Sequence, residues 1–554
     1  MRGIIGTKTL RKNSQGFFLL ALLLCTLLQF ASKMADMQET DAPENNSWLK
    51  KIWPVQRFEL RKVVPLLFLK FLASIVYSTL TCMKDSLVVT ANHSGAEVIP
   101  VLKGYLVFPL SLLCAVAYSK LSNQFKRSTL FYSIVTFFLI IIALYGFVLY
   151  PNADTLSPHA TSDHLAGILG KKGLHWISVY RNWIHSLFFI TAELWAQVVI
   201  FILYWGFANH ICQVKEAKRT YTLFIAAGDL ATIVAGPLVL AHVSKFSGGD
   251  FTGILQTLIS YVLVAGVGIL VTYWWMNKYV LSDKRYYDPA VTKHSLNEKT
   301  KLTLGKSIKH IFSSKYLLSI AALVIGCALT INMIEVTWKA HLKTLYPATS
   351  DYLAFTSKVT TIVGVVALIT VLLFGGNFLR RFGWHFSAQI SPIVVGATGA
   401  LFFTLSYFKD SLGPFAEAFG TTPLMFLVLL GAFQSISSKV VKYSFFDSTK
   451  EMAYIPLDQE SKVKGKAAID MVGSRLGKSS SSWLQTGLMA LMGTGSVLMI
   501  TPYLIPIVLG IAFYWSYSVR YLSRELEAKE TALEKETVSE EKEPTPLEKA
   551  PANY

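Results

Sequence analysis

Twelve stretches of mostly apolar residues, each close to twenty residues or longer, recur along the chain. They lie at 63–82, 98–119, 129–150, 183–211, 222–243, 254–277, 316–338, 354–375, 384–408, 421–445, 482–500 and 501–522. A bilayer core takes about 20 apolar residues in helical form, and inside lipid a helix satisfies its backbone without help from other segments. The expected fold is therefore an all-α polytopic membrane protein with twelve transmembrane helices. The composition agrees, since 16% of the 554 residues are charged and the mean hydropathy is +0.45, against about 25% charged in soluble domains. The net charge of +18 needs no nucleic-acid partner, because basic loops on one side of a membrane account for it. The five cysteines are scattered with no CxxC pair, so neither a disulfide framework nor a zinc site is signalled.

Lys and Arg fall in alternate connections. Lys50, Lys51, Arg57, Arg61 and Lys62 precede the first span, and Lys120, Lys126 and Arg127 follow the second. Lys215, Lys218 and Arg219 follow the fourth, and Arg380 and Arg381 the eighth. The connections 91–97, 245–253, 342–353 and 409–420 carry at most one Lys each. By the positive-inside rule both termini are cytoplasmic. Lys171, Lys172 and Arg181 run against the pattern, partly offset by Asp154 and Asp163.

A basic linker, 281–315, divides the spans six and six. The connections KLSNQFKRS and GGNFLRRFG, after the second and eighth spans, each end in a basic pair. A short cytoplasmic loop would often do so anyway. Their matching positions suggest a parallel repeat of two six-helix halves, 63–280 and 316–523, in a major-facilitator-like arrangement with a site at the bilayer midplane. Residues 34–62 read as a cytoplasmic N-terminus and 524–554 as an acidic tail, disordered after a helical start, with nine Glu and four Lys from Glu525 onward. Residues 1–33 resemble a signal segment, with Arg2, Lys8, Arg11 and Lys12 before the apolar run 17–30. That conflicts with the basic 50–62 segment, and a start at Met34 resolves the conflict.

An ionisable residue within a span costs about 2.5–3.5 kcal/mol on insertion scales and is a functional candidate by default. Lys84 and Asp85 end the first span, Glu193 lies in the fourth, Asp229 in the fifth, and Glu335 and Lys339 in the seventh. Glu335 and Lys339 are four apart, so they could simply pair along the helix. Seven basic residues lie between Lys442 and Lys478. Loop surface explains some of them. Asp470, Arg475 and Lys478 stand in AAIDMVGSRLGK, an apolar run that could be the true beginning of the eleventh span, with its cations facing a central cavity. GSRLGKS, residues 473–479, is one residue short of a phosphate-binding P-loop and follows no strand, which excludes an ATPase loop. Several cations with a few carboxylates in a low-dielectric cavity select a multiply charged anion. Trp195, Trp205, Phe207 and Trp338 could stack a flat base, although packing is the commoner use of any one aromatic. The residues alone reach a carrier of an organic polyanion.

The motifs WPVQRFELRKVVP, MKDSLVVT, GAEVIPVLK, AELW with YWGFANHI, KEAKRTYTLF, EVTWK, KYSFFDSTKEMAYIPLD and KGKAAIDMVGSRLGKS occur in order along 50–523. In these the chain resembles the nucleotide transporter family, the ATP:ADP antiporters of plastids and obligate intracellular bacteria. The resemblance implies a major-facilitator-like bundle in a bacterial inner membrane or plastid envelope. It would move ATP, ADP and other nucleoside triphosphates by exchange, with charged residues matching Lys84, Glu193, Glu335 and Lys478 important for transport. The chain departs from the family at LTCMKD, where Thr81 and Cys82 replace an Arg-Asp pair, at GDLATI, which puts Asp229 where an amide is usual, and at Ser479–Ser482. Asp229 is therefore also a candidate proton carrier for a proton-coupled importer. The site expected is Lys84, Lys442, Arg475 and Lys478 on the phosphates, Trp195 and Trp338 against the base, and Glu193, Asp229, Glu335 and Asp470 as coupling or gating carboxylates. No cofactor, metal or catalytic motif is signalled, and a monomer in the lipid bilayer is expected. The competing readings are a receptor built on an inactive transporter fold and a carrier of sugar phosphates.

Overall fold

The computed structural model describes residues 55, 59–212, 214–245, 251–283, 286, 314–374, 377–454, 457, 469 and 473–540. The signal-like 1–33, nearly all of the 281–315 linker, Asp470 and the tail beyond 540 lie outside the described residues, and so do the expectations attached to them. Regular structure among the described residues is entirely helical. Eleven helices are long and apolar enough to cross a bilayer: α1 Leu60–Thr90, α2 Val98–Gln124, α3 Arg127–Leu149, α4 Trp183–Ile211, α5 Arg219–Ser244, α6 Phe251–Val280, α7 Lys315–Leu345, α8 Thr349–Thr370, α9 Arg381–Tyr407, α10 Pro423–Ala453 and α12 Val497–Ala528. Large apolar side chains such as Phe137, Phe201, Leu491 and Phe513 lie on the outside of the bundle, where lipid rather than water is their natural neighbour.

One further helix, α11 Ser474–Met492, stands in the eleventh position. Its place corrects the expected span 482–500. The helix begins in SRLGKSSSS and stops at Gly493, whose φ of 65° closes a left-handed cap that a β-carbon would strain. Residues 497–500 form a 3₁₀ lead-in to α12. The hydropathy pattern misplaced α11 because Ser479, Ser481, Ser482 and Gln485 are buried against other helices, where polar side chains find protein partners. The final helix also continues to Glu540, farther into the acidic segment than a short helical start.

The repeat is visible in the packing. α1 packs on α4, α5 and α6, and α7 packs on α10, α11 and α12, its counterparts six places on. The halves then meet through two corresponding pairs, α5 with α8 and α11 with α2. One hydrophobic core is built almost wholly from the first six helices. The second belongs to the last six but also takes in Val88, Val89, Ala96, Val98, Ile99, Leu102 and Val107, from the end of α1 and the beginning of α2. The two halves are thus fused at the end of the bundle opposite the described chain ends. The helix His159–Arg181 lies at that end: Ser178 Oγ donates to the His93 carbonyl at 2.5 Å and the Lys171 carbonyl lies against Gly495. Arg181, one of the three cations that broke the loop pattern, is buried and pairs with Asp163, and holds that carboxyl below its ordinary value.

Candidate functional site

Five of the expected charges, Lys84, Asp85, Glu193, Glu335 and Lys339, meet inside the bundle. Lys84 Nζ lies 2.9 Å from Asp85 Oδ1 and 3.1 Å from Glu193 Oε1, with the Phe189 ring 4.2 Å away. Asp85 Oδ2 takes Lys339 Nζ at 2.8 Å, and Lys339 also binds Glu335 Oε1 at 3.0 Å. The helical pairing of Glu335 with Lys339 therefore holds, but it is one link in a longer chain. Lys439 approaches Glu335 at 4.0 Å, and at the other end Arg475 reaches Glu193 Oε2 at 3.6 Å and donates to Gln197 Oε1 at 3.1 Å. The result is a seam running Arg475, Glu193, Lys84, Asp85, Lys339, Glu335, Lys439. It crosses from the second half to the first and back. Buried ion pairs recover their desolvation cost only when each partner is engaged, and this seam engages every member.

Lys478 is held differently. Among the described residues its ammonium has no hydrogen-bond or ion-pair partner, although Glu193 and Glu335 are close enough to act on it electrostatically. It lines a narrow space between the halves with Lys103, Val107, Phe108, Glu193, Arg475 and Ser479. That space has room for about one water molecule. Lys103 donates to Asn332 Oδ1 at 2.8 Å. Counted together, Lys84, Lys103, Lys339, Lys439, Arg475 and Lys478 face Asp85, Glu193 and Glu335, six cations against three carboxylates, which leaves a formal +3. An excess of positive charge of this size at membrane depth is costly and is complementary to a polyanion.

Of the remaining expected residues, Lys442 is close enough to Lys478 to act on it electrostatically but binds its own carboxylate. Lys442 begins the π-helical turn Lys442–Phe446 and pairs with Asp447 at 3.2 Å. Asp229 makes no hydrogen bond or ion pair among the described residues. Its electrostatic neighbours are Lys70, Asp447 and Lys442. Trp195 and Trp338 are 0% and 3% exposed and donate their indole N–H to the carbonyls of Ala73 and Val428 at 3.1 and 3.0 Å. Both rings are packed between helices and neither lines the space between the halves, because a satisfied indole is more stable in the interior. Phe207 is buried in the same way.

Three cations with partners inside the bundle were not singled out from the sequence: Lys70 in α1, whose Nζ stands 5.5 Å over the Tyr204 ring, Lys103 in α2 and Lys439 in α10. The rule that singled out Lys84 applies equally to each, since all three lie inside expected spans. Asn332 carried no charge to signal it.

A model of the family described as TLC ATP/ADP transporter matches residues 38–526. The ADP,ATP carrier protein 1 of Chlamydia muridarum is 41% identical over 507 residues, 90% of this chain and 95% of that protein. The chloroplastic ADP,ATP carrier protein 1 of Arabidopsis thaliana is 39% identical over 495 residues, 88% of this chain and 77% of that one. The ADP,ATP carrier protein 1 of Rickettsia bellii is 35% identical over 501 residues, 88% and 98% of the two chains. Among solved structures, a bacterial homologue of the iron transporter ferroportin superposes with a TM-score of 0.50 at 14% identity, over 83% of this chain and 100% of that one. A mutant of the nucleoside transporter NupG gives 0.50 at 14% identity, over 83% and 99%. At that identity the likeness shows the fold alone, which is that of major-facilitator-like transporters. The sequence matches reach further, and because they run along nearly the whole chain and most of each relative, this chain belongs to the TLC ATP/ADP transporter family.

Proposed function

We propose that the chain exchanges ATP and ADP across a membrane by alternating access, with both termini and the 281–315 linker on the cytoplasmic side. The observation that carries this reading is the excess of three positive charges between the halves, with Lys478 left without a carboxylate partner beside Lys103 and Arg475. The nucleotide enters from the end that bears the termini, since the opposite end is fused by the shared core. Its phosphates meet Lys478, Arg475 and Lys103, while Lys84 and Lys339 hold the carboxylates of the seam in place. Phe108, edge-on to Trp483 at 5.6 Å and lining the same space, offers the base the ring that Trp195 and Trp338 do not. Parting of α2 from α11 and of α5 from α8 then opens the other face. No chemical step is involved, and the protein works as a monomer in the inner membrane of an intracellular bacterium or a plastid envelope.

Asp229 supports a second reading. A carboxylate with no hydrogen bond among the described residues, facing Lys70 on α1, is a place where a proton can be taken up and released. Uptake of labelled ATP into proteoliposomes separates the two. Exchange requires internal ADP and ignores a protonophore. Uptake into vesicles without internal nucleotide that a protonophore abolishes, and that loses its pH dependence in Asp229→Asn, establishes proton symport instead.

A further inference from the structure

The contacts that close the bundle opposite the termini run in a row from α2 and the residue before it to α11 and the start of α12. The Glu97 carboxylate accepts from Val497 N at 3.3 Å, the Tyr105 and Thr486 hydroxyls share a hydrogen bond at 3.0 Å, and Trp483 Nε1 donates to the Gly104 carbonyl at 3.2 Å. Lys103 adds a fourth contact, and this one lines the space between the halves. Its ammonium donates to Asn332 Oδ1, and the Asn332 amide in turn donates to Ser481 Oγ at 3.1 Å and to the Lys478 carbonyl at 3.4 Å. Asn332 thereby fastens a cation of the first half to both α7 and α11 of the second.

Lys103 differs from the seam cations in its partner. Lys84 and Lys339 each bind two carboxylates, whereas Lys103 has no carboxylate within ion-pair distance among the described residues and is held by a neutral amide. A phosphate oxygen is a stronger acceptor for an ammonium than a neutral amide oxygen, so a nucleotide arriving at Lys478 and Arg475 competes for Lys103 and wins. Lys103 also lies in the π-helical turn Leu102–Val107, a locally rewound piece of α2 of the kind found at functional sites.

Resting on the nucleotide-exchange reading, the geometry points to the Lys103–Asn332 hydrogen bond as a substrate-released tie between the halves, which a bound phosphate must break before α2 can part from α11. An empty carrier then stays sealed and a loaded one can reorient, which is the condition for strict exchange.

The tie is tested with Thr486→Cys, a buried position of the seal, probed by a membrane-impermeant maleimide applied from the face opposite the termini. The label reacts slowly without nucleotide and faster with ADP. Adding Asn332→Ala raises the nucleotide-free rate by about tenfold or more, the shift expected from losing a hydrogen bond to a charged group, and lets ADP-loaded vesicles leak without external nucleotide. Asn332→Asp gives Lys103 a charged partner, so at equal membrane abundance both ADP-stimulated labelling and exchange slow. It also serves where Asn332→Ala folds poorly. Labelling in Asn332→Ala that remains as slow as in its parent, or an Asn332→Asp variant as fast as its parent, overturns the tie. If ADP leaves the parent's labelling unchanged while Asn332→Ala still raises it, the tie stands and the nucleotide reading is the one that fails.

Discussion

Lys84 and Lys478 bring the same charge to the same depth and do different work. Lys84 is shared by Asp85 and Glu193, so Lys84→Gln takes a cation from each of two buried carboxylates, leaving Asp85 to Lys339 and Glu193 to the more distant Arg475, at a cost of ~3–5 kcal/mol. Lys478 has no ion-pair partner among the described residues, and Lys478→Gln removes positive charge the substrate needs, at ~2–5 kcal/mol of binding. The expected outcome is a lowered melting temperature and low membrane abundance for Lys84→Gln. Lys478→Gln should show near-normal melting with KM raised by an order of magnitude or more. Equal melting losses in both would show that Lys478 is a structural cation too. Trp338→Phe separates packing from base contact in the same manner. It removes the indole N–H that bonds the Val428 carbonyl and part of a buried ring, and should cost ~1–3 kcal/mol of stability, while KM for ATP stays unchanged. A raised KM at unchanged stability would return Trp338 to the substrate site.

The helix α2 owes its role to Gly104. A β-carbon there would stand 2.9 Å from Ser482 Cβ and 3.1 Å from Trp483 Cδ1, so α2 and α11 touch only because residue 104 has no side chain. Gly104→Ala should push the helices apart at ~1–3 kcal/mol, the usual cost of overpacking. The fused end would then open more readily, measured as a larger nucleotide leak from proteoliposomes. Gly510 on α12 has open space around its Cα. Gly510→Ala should leave the leak unchanged and slightly raise stability through helix propensity. A silent Gly104→Ala would mean that the α2–α11 contact does not limit opening. α11 itself shows why a helix can be poorly legible from hydropathy, since its serines find partners within the bundle, Ser481 with Asn332 and Gln485 and Ser482 with the Lys478 carbonyl.

For the whole molecule, an even number of crossings returns the chain to the side from which it left, and the alternating basic connections choose the side. A cysteine at 295, in the linker, should be labelled by an impermeant reagent only after the membrane of intact cells is opened. Labelling from outside intact cells would reverse the topology. The order and approximate place of the eleven membrane-length helices followed from the sequence, because each span meets its backbone hydrogen-bonding needs within itself and is committed to lipid before it meets its neighbours; their lengths did not, since α1 covers 60–90 where 63–82 was expected. The division into halves was also legible, from the basic linker and the paired loops, and the ionisable rule named Lys84, Asp85, Glu193, Glu335, Lys339, Arg475 and Lys478 before any contact was known. The same rule would have reached Lys70, Lys103 and Lys439. What the sequence left open was how each helix is rotated about its axis. Lipid and protein interior are equally apolar, so hydropathy does not tell a side chain that faces a neighbouring helix from one that faces lipid or a substrate. Rotation and close packing alone decided that Trp195 and Trp338 are buried between helices, that Lys339 joins two carboxylates from different halves, that Asp229 faces Lys70, and that Lys103 is held by an amide.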